Sequence, residues 1–481
     1  MHSHKICTFL KNHFQIALIL VAFITINIIT LSFYQNVLWD SSVYIGMGKY
    51  IYSSGKSGLW EPIRPLTLPI ALGFLWKMGL DPLVYGKLLM LLFSVGTITL
   101  TYLISNKIFN RQAAIIASII FSFSSLLIDV SHEILVEVPA VFFLLLGFYL
   151  YLSNRNIIAG FSFGMAFLTK FPAMIFLFAV AFSELLFLSQ YKKTYQQKLK
   201  VILSILLAFA ATILPYFIFN YLYYGSFLFP LESAKYVIGN VVSCTVSELK
   251  PAYYYIPLIL KDNPLHIFFL SGLLFVLFSK RLRYDKNKLQ IIIYIALFFL
   301  YFTLLACKTS RYPLLALPFI SMISGHGLLS TFDKSIKKKK YQNMFVVLIL
   351  ILSFSLSVYY ITSNSSQKKD VNSFIYFKDK NISGEILTTT PQIAVFTDLK
   401  LNPIYYSLYG SATADYFTDY INMHKDSIAY ILINMNDIPC HPKDLECPTK
   451  TQNFIEFLKK NFNLEASFKT NNGDYFIFSP R

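Results

Sequence analysis

An acidic residue directly after a long apolar run is the first candidate for chemistry in this chain. Asp40 lies six residues beyond the apolar run at 14–34. Charge close to hydrocarbon is costly unless it has a role, so an ionisable residue at the mouth of a membrane span is a functional candidate. A carboxylate in this place could take a proton from an incoming hydroxyl group. Asp40 is therefore the first candidate for a catalytic residue.

Further acids precede the fourth apolar run. They are Asp129, Glu133 and Glu137, and Glu61 adds another acid earlier in the chain. Glu133 and Glu137 are four residues apart, a spacing that would put them on one face of a helix. A second carboxylate could orient the base or the substrate, or these acids could simply border the membrane. Asp129, Glu133 and Glu137 are predicted to be candidate substrate-binding residues.

Four basic residues lie on the same predicted side of the membrane, against the usual bias of cations towards the cytoplasm. They are Arg64, Lys170, Lys308 and Arg311. A phosphate would compensate them, because Arg offers a bidentate fork and Lys a point charge. Such cations also stabilise the charge that develops on a departing phosphate. Alternatively, the side chains could extend to anionic lipid headgroups.

The composition indicates a polytopic membrane protein. The 481 residues are 55% hydrophobic and only 14% charged, whereas soluble domains carry roughly 25% charged residues. The net charge of +17 is uneven, because residues 362–481 hold 12 Lys and Arg against 13 Asp and Glu. The other cations cluster in short loops between apolar runs, which is an orientation signal of membrane proteins and argues against nucleic-acid binding.

Eleven apolar runs are predicted to cross the membrane, at about 20 residues per crossing. They lie near 14–34, 84–104, 112–128, 138–152, 157–169, 171–189, 201–219, 264–279, 289–305, 313–330 and 343–361. The first run is interpreted as a retained helix because no small-residue cleavage site ends it. The segment at 66–79 contains Pro69 and Lys77 and is predicted to be interfacial or re-entrant.

The charges also predict a direction. With a cytoplasmic N-terminus, every strongly basic loop falls inside, and nine of the twelve acids before residue 362 fall outside. Either the outer loops are simply solvated, or the active site faces outwards. The predicted organisation is a transmembrane catalytic domain over 1–361, with a first outer loop at about 35–83, and a small extracytoplasmic α/β domain over 362–481. Strands are expected at 385–390, 404–408 and 428–435, a helix at 452–462 and a hairpin at 466–478.

Other motifs narrow the choice of chemistry. The chain has no glycine-rich phosphate loop, no Ser-His-Asp pattern and no HExxH motif, so the donor substrate is expected to be carried by a lipid rather than a nucleotide. Cys440 and Cys447 could form a local disulfide or remain free thiols. With His441 they would make only a weak zinc site. No metal site is predicted elsewhere, and a divalent metal is possible but not favoured.

Several short motifs, taken in order, resemble the GT-C membrane glycosyltransferases, and in particular the relatives of dolichyl-phosphate-mannose protein mannosyltransferases (glycosyltransferase family 39-like). The motifs are Trp39-Asp40 followed by Tyr44; Arg64-Pro65-Leu66 with Pro69; Tyr102-Leu103-Ile104 leading to Phe109-Asn110-Arg111; Glu137-Val138-Pro139; Gly160 and Gly164 ahead of Leu168-Thr169-Lys170; Tyr224-Gly225-Ser226; and Lys308 to Pro313 with Pro318.

The resemblance implies a fold of about eleven transmembrane helices and transfer of a sugar, such as mannose or a similar hexose or pentose, from a polyprenyl-phosphate donor with inversion. Asp40 would be the general base. Arg64, Lys170 and Arg311 would hold the lipid phosphate, and Tyr44 and Lys308 are further candidates for substrate binding. The chain departs from the protein mannosyltransferases in one respect, because they often pair two acids in the first loop, whereas Ser41 follows Asp40 here.

The acceptor could be a lipid, a glycan or a protein, and the expected location is the inner membrane of a prokaryote. Two other classes remain open. A transporter or flippase for a lipid-linked sugar would need internal repeats or broken helices at mid-membrane. A non-catalytic scaffold would leave the four outward cations unexplained.

Overall fold

The structure is a computed structural model that describes residues 2–31, 37–186, 195–240, 250–278, 285–305, 307–333, 339–364, 374, 376–377, 382, 384–404, 411–437, 440, 444–470 and 473–481. Most of these residues are helical. The helices are α1 His2–Thr30, α2 Trp39–Tyr52, α3 Thr67–Lys77, α4 Pro82–Ile108, α5 Arg111–Ser122, α6 Ser125–His132, α7 Glu137–Leu152, α8 Asn156–Thr169, α9 Ile175–Leu186, α10 Tyr195–Tyr224, α11 Phe229–Asn240, α12 Tyr255–Asp262, α13 Phe268–Phe278, α14 Lys286–Leu304, α15 Leu317–Asp333, α16 Lys339–Asn364, α17 Ile393–Phe396, α18 Ser411–His424 and α19 Cys447–Asn461.

The chain forms two compact units. The first comprises Met1–Tyr34, Lys87–Phe219 and Pro251–Ser366, and the second comprises Gln35–Gly86, Asn220–Lys250 and Gln367–Arg481. The segment predicted as the first outer loop is thus grouped with the C-terminal segment and not with most of the apolar helices. The predicted division at residue 361 stays a prediction.

Close helix contacts in the first unit depend on small residues. A Cβ atom on Gly327 of α15 would lie 2.2 Å from the carbonyl oxygen of Phe268, and one on Gly325 would lie 2.7 Å from the amide nitrogen of Ala117. Helix α15 therefore packs backbone to backbone against α13 on one side and α5 on the other. Small residues at such contacts are typical of helices that associate in membranes, where lipid removes the hydrophobic drive for association.

Each of the eleven predicted apolar runs is occupied by an apolar helix or by a bent pair of helices. Three helices in the described part of the chain are long and apolar enough to cross a membrane, namely Pro82–Ile108, Gln196–Tyr224 and Lys286–Leu304. Helices α5 and α6 meet at 56° and together make a fourth candidate, and seven shorter apolar helices cover the remaining runs. The chain is a membrane protein with many apolar helices, and the number of crossings stays a prediction.

The second unit contains a five-stranded sheet in the order β2-β1-β3-β5-β4. The strands are β1 Glu385–Thr388, β2 Lys400–Pro403, β3 Ile428–Asn434, β4 Phe462–Thr470 and β5 Gly473–Pro480. Strand β1 pairs in parallel with β2 and β3, and the last three strands are antiparallel. Side chains of α18 and α19, including Phe417, Phe454 and Leu458, pack with Ile431 and Phe478 in one core cluster.

The predicted strands were mostly placed correctly. Strands β1 and β3, the hairpin of β4 and β5, and helix α19 coincide with the segments predicted at 385–390, 428–435, 466–478 and 452–462, although β1 ends two residues earlier, at Thr388. The strand predicted at 404–408 is wrong at Ile404, because β2 ends at Pro403, and residues 405–408 lie outside the described residues. The expectation failed because the strand uses the more polar segment Lys400–Pro403, whose pairing with β1 supplies its backbone hydrogen bonds.

The segment between α1 and α4 packs on this sheet. Val43 and Met47 of α2 share a core cluster with Ile386, Ala394 and Ile477. This segment also extends the sheet edge, since the amide of Gly58 donates to Leu399 over 2.9 Å and its carbonyl accepts from the amide of Leu401 over 2.8 Å. Helix α2, which carries Asp40 near its start, is therefore fixed by a hydrophobic core and by backbone hydrogen bonds.

Helices α2 and α3 are held against each other through glycines. A Cβ atom on Gly48 would lie 2.6 Å from the amide nitrogen of Gly73, and one on Gly73 would lie 2.4 Å from the carbonyl oxygen of Gly48. Any side chain at either position would separate the two helices. Helix α3 spans 11 residues, which is short for a membrane crossing. This length agrees with an interfacial or re-entrant segment, which stays a prediction.

Cys440 and Cys447 form a disulfide, with Cα atoms 5.6 Å apart. Of the three states considered from the sequence, the structure therefore has the cross-linked one. The bond joins the chain segment after β3 to the first residue of α19.

We predict a pH-dependent stability centred on Asp437, which follows β3. Burial raises the pKa of Asp437 from an ordinary value of 3.8 to about 6, and the hydroxyl group of Thr390 donates to its carboxylate. Between about pH 4 and 6 the folded state keeps a proton that the unfolded state has lost, so stability falls as pH rises through this window. Two pKa units correspond to at most about 3 kcal/mol.

Asp437→Asn removes this titration while keeping an oxygen that can accept from Thr390. Its melting temperature in detergent, measured relative to wild type, is expected to be higher at pH 7 than at pH 4. Asp474→Asn is the matched control, because Asp474 is exposed. A difference between Asp437→Asn and wild type that does not change with pH would contradict the prediction.

Candidate active site

Asp40 belongs to a group of four side chains in the second unit, here called the loop cluster: Asp40, Tyr44, Glu61 and Arg64. Arg64 Nη2 lies 2.8 Å from Asp40 Oδ1, and Arg64 Nε lies 2.8 Å from Glu61 Oε1. The guanidinium carbon is 5.6 Å from the centre of the Tyr44 ring, within the range of a cation–π contact. One arginine thus holds two carboxylates and packs on an aromatic ring.

Local structure explains this arrangement. Helix α2 starts at Trp39, which puts Asp40 in its first turn, where the helix dipole favours a negative charge. Tyr44 is four residues later and therefore on the same face of α2. Arg64 and Glu61 come from the turn before α3, three residues apart. The side chains of Asp40 and Arg64 are only 13% and 16% exposed, so their charges are mutually compensated in a partly dry site.

Arg64 is thus engaged by carboxylates, whereas the sequence had suggested that a lipid phosphate compensates it. Glu61 was noted among the outer acids but not selected as a site residue. The spacing of Glu61 and Arg64 could have indicated their ion pair, since Glu61 lies three residues before Arg64. Burial raises the pKa of Glu61, and the nearby Arg64 opposes that rise.

A second group, here called the Glu137 cluster, lies in the first unit and consists of Glu137, Lys170, Arg311 and Tyr312. Glu137 Oε1 lies 2.9 Å from Lys170 Nζ and 3.1 Å from Arg311 Nε. The Glu137 side chain is 1% exposed, while those of Lys170 and Arg311 are 12% and 28% exposed. Lys170 Nζ is 4.9 Å from the centre of the Tyr312 ring. Two cations therefore share one buried carboxylate.

The members of this cluster come from three breaks in helical structure. Glu137 is the first residue of α7. Lys170 is in an extended conformation after the end of α8, before the short 3-10 helix Phe171–Met174. Arg311 precedes a second 3-10 helix, Tyr312–Leu315. Residues at helix ends can direct charged side chains away from the apolar helix surfaces. For this reason the three charges lie between apolar runs in the sequence.

The Glu137 cluster suits an anion. Its two cations and one carboxylate leave a net positive charge, and the exposed fraction of Arg311 is the largest of the three. A guanidinium and an ammonium group held in this way could bind phosphate oxygens and stabilise negative charge on them. Glu137 itself is better described as the residue that positions the two cations than as a ligand for the substrate.

The remaining candidates lie near these groups in sequence but have other contacts. The hydroxyl of Tyr360, on α16, donates to Asp129 Oδ2 over 3.0 Å. Lys308 donates to the carbonyl oxygen of Leu305 over 2.7 Å. Glu133 follows the end of α6 in an extended conformation. Their predicted roles in substrate binding stay predictions.

The expectation that Glu133 and Glu137 share a helical face is wrong. Helix α6 ends at His132, Glu133 follows it in an extended conformation, and α7 begins only at Glu137. The spacing misled because the two acids flank a helix break instead of lying within one helix.

Metal binding has no obvious location in the part of the chain that the structure describes. No group of three or more His, Cys, Asp or Glu side chains there could hold a metal ion. Independence of a metal remains a prediction about the reaction.

Comparison with known proteins agrees with the resemblance drawn from the sequence. Residues 65–219 match the model of the dolichyl-phosphate-mannose-protein mannosyltransferase family. That segment contains Glu137 and Lys170 but neither Asp40 nor Arg311. No curated protein matches the sequence.

The fold matches solved structures of ArnT and of an archaeal oligosaccharyltransferase over most of the chain. ArnT from Cupriavidus metallidurans bound to undecaprenyl phosphate is 11% identical, with a TM-score of 0.66, over 97% of this chain and 98% of that one. The oligosaccharyltransferase of Archaeoglobus fulgidus in its apo form is 12% identical, with a TM-score of 0.61, over 88% of this chain and 69% of that one. The same archaeal oligosaccharyltransferase, AglB, has also been solved in complex with an inhibitory peptide and a dolichol-phosphate. That structure is 12% identical, with a TM-score of 0.59, over 98% of this chain and 75% of that one.

The chain thus has the fold of the GT-C membrane glycosyltransferases, and part of its transmembrane region matches the protein mannosyltransferase family model. The resemblance drawn from the sequence is confirmed at that level.

Removing the Glu137 carboxylate should destabilise the protein. Glu137→Gln would leave Lys170 and Arg311 with less compensation in a mostly buried place, and breaking such a pair typically costs about 3–5 kcal/mol. We expect a clearly lower melting temperature in detergent for Glu137→Gln. Part of the loss should return in the double variant Glu137→Gln/Lys170→Met, because one of the two cations is then removed.

Glu232→Gln serves as the control, since it makes the same chemical change at an exposed acid on α11. Equal melting temperatures for Glu137→Gln and Glu232→Gln would contradict the account of the cluster.

Proposed function

We propose that this protein is a membrane glycosyltransferase that uses a polyprenyl-phosphate sugar as donor and an acceptor hydroxyl group as nucleophile. The observation that carries the proposal is the Glu137 cluster, in which a buried carboxylate positions Lys170 and Arg311 with a net positive charge at the ends of apolar helices. A lipid monophosphate combines the anion and the apolar chain that such a place would accept. Two of the similar solved structures are complexes with undecaprenyl phosphate and with a dolichol-phosphate, which supports this choice.

The reaction follows from these groups. The oxygen of the acceptor hydroxyl attacks the anomeric carbon of the donor sugar while its proton passes to a carboxylate base. The bond between that carbon and the phosphate oxygen breaks, and its electron pair stays on the phosphate. The products are a glycoside, inverted at the anomeric carbon, and a polyprenyl phosphate. Lys170 and Arg311 would bind the phosphate and stabilise the negative charge that grows on it.

In this proposal Asp40 is the base. Its carboxylate is held by Arg64, and Arg64 is in turn fixed by Glu61 and the Tyr44 ring. We assign Arg64 to orienting Asp40 in preference to binding the lipid phosphate, because in its present position it already satisfies two carboxylates. A base held in one orientation is better placed to receive the proton.

Several finer points belong to the same proposal. The sugar would be mannose or a similar hexose or pentose, and no metal ion would be required. The reaction would take place on the outer face of a prokaryotic inner membrane, with the N-terminus in the cytoplasm. The distribution of basic loops supports this orientation. The Cys440–Cys447 disulfide supports an extracytoplasmic place for its segment, because disulfides persist in oxidising compartments.

A transporter or flippase of a lipid-linked sugar is the other candidate considered from the sequence. The breaks beside Glu137 and Lys170 resemble the interrupted helices that transporters use. The glycosyltransferase is preferred because the loop cluster supplies an oriented carboxylate, which transport does not need.

Transfer from a radiolabelled polyprenyl-phosphate sugar to endogenous acceptors in membrane vesicles tests the proposal. Asp40→Asn should lower the transfer rate by about 10²–10⁴-fold, the usual contribution of a general base, while leaving donor binding nearly unchanged. Lys170→Met should instead weaken donor binding. Glu232→Gln is the control for expression and insertion.

Three results would contradict parts of the proposal. Full transfer by Asp40→Asn would exclude Asp40 as the base, and unchanged donor binding by Lys170→Met would exclude the phosphate role. Movement of labelled lipid across the vesicle without any transfer would favour the flippase.

A further inference from the structure

A groove in the second unit belongs to neither of the two clusters. It has a volume of about 770 Å³ and lies where the end of α3 and the start of α4 meet the segment after α17. The volume falls within the roughly 300–1,000 Å³ of small-molecule sites. Its lining residues include Lys49, Trp76, Asp81, Phe396 and Asp398.

One wall of the groove is a hydrogen-bonded network around Asp398. Asp398 Oδ1 accepts from Lys49 Nζ over 2.9 Å and from Trp76 Nε1 over 3.0 Å. Lys49 also donates to the carbonyl oxygen of Thr397 over 2.9 Å. The Lys49 side chain is 4% exposed, but that of Asp398 is 64% exposed. The network thus fixes the Trp76 ring and presents a carboxylate to the groove.

The charges of the lining select against an anionic ligand. The lining carries two carboxylates, Asp81 and Asp398, and one ammonium group, a formal net charge of −1, and Asp81 Oδ1 also accepts from the backbone amide of Leu83 over 2.7 Å. Lys49 is buried and already donates to Asp398 and to the carbonyl oxygen of Thr397, so it stabilises the wall and is not presented to a ligand phosphate. Both described contacts of Asp398 fall on Oδ1, and the side chain is 64% exposed, so Oδ2 is accessible to a hydroxyl group of a ligand.

Aromatic rings complete the lining. Trp76 and Phe396 offer flat apolar faces beside the carboxylates, and Gly79, at the end of α3, has open space where a side chain would be. The C–H face of a sugar ring packs well on an aromatic face, while its hydroxyl groups donate to carboxylates. Rings and carboxylates side by side therefore match a neutral sugar better than a peptide or an acyl chain.

We propose that this groove binds a neutral glycan, the acceptor of the transfer reaction. The role as acceptor rests on the proposed function, whereas glycan binding itself does not. Asp40 and Lys49 lie on the same helix nine residues apart, which is roughly 14 Å along its axis. An acceptor held beside Lys49 must therefore be an extended oligosaccharide to present a hydroxyl group to Asp40.

Direct binding tests the groove without catalysis. Full-length protein in nanodiscs is titrated by calorimetry with mannotetraose and chitotetraose, with mannose and N-acetylglucosamine, and with the octyl glycosides of both tetrasaccharides. At least one tetrasaccharide should bind at millimolar concentration or below and its monosaccharide at least tenfold more weakly. Trp76→Leu should weaken binding at least tenfold, and Trp76→Phe, which keeps a ring, should weaken it less.

The controls separate this inference from the proposed function. Phe74→Leu changes an exposed ring on the same helix that does not line the groove, and it should bind like wild type. Asp40→Asn should keep full glycan binding even where transfer is lost. Asp398→Asn gives a second lesion in the groove and should also weaken binding, with melting temperatures showing that each variant is folded.

The outcomes are decisive in either direction. Equal affinity for a tetrasaccharide and its octyl glycoside indicates a free glycan, and much tighter binding of the octyl glycoside indicates a lipid-linked one. The proposal is overturned if wild type binds none of the tetrasaccharides or octyl glycosides, or if folded Trp76→Leu and Asp398→Asn both bind like wild type. A wild-type protein that binds the tetrasaccharide but transfers no sugar from any polyprenyl-phosphate donor would count against the proposed function and not against glycan binding in the groove.

Discussion

The compensation of cations by buried carboxylates is the constraint on which both candidate sites depend. Cations at the ends of apolar helices are costly without a partner. Glu137 provides that partner for Lys170 and Arg311, and Asp40 and Glu61 together provide it for Arg64. Each carboxylate also fixes the direction of its cation. The same ion pairs that make these charges tolerable thus give the two clusters a defined geometry.

In the Glu137 cluster the carboxylate compensates only part of the positive charge, whereas in the loop cluster the carboxylates compensate the guanidinium fully. The Glu137 cluster has an excess of positive charge, with Arg311 still partly exposed, so it can accept an anion. The loop cluster has two carboxylates for one guanidinium and therefore an excess of negative charge, which suits a proton acceptor. A phosphate-leaving transfer reaction needs both properties.

The close contact of α2 with α3 and with the sheet has a second consequence. Gly48 and Gly73 let the two helices touch, and Val43 and Met47 anchor α2 in the sheet core. The loop that carries Asp40 is thereby a packed element instead of a loose connection. The groove beside Trp76 and Asp398 is a product of the same packing, because its walls come from segments more than 300 residues apart in sequence.

The sequence alone determined the membrane character, the location of the apolar helices, most of the strands and the identity of the charged candidates. These follow from local quantities, namely hydropathy, residue spacing and the rarity of charge next to apolar runs. Which acid pairs with which cation was decided only by tertiary structure. Glu137 meets Lys170 and Arg311 from three separate helix breaks, and the break after His132 separates Glu133 from Glu137. Ion pairs between distant segments depend on how helices pack, which no local pattern records.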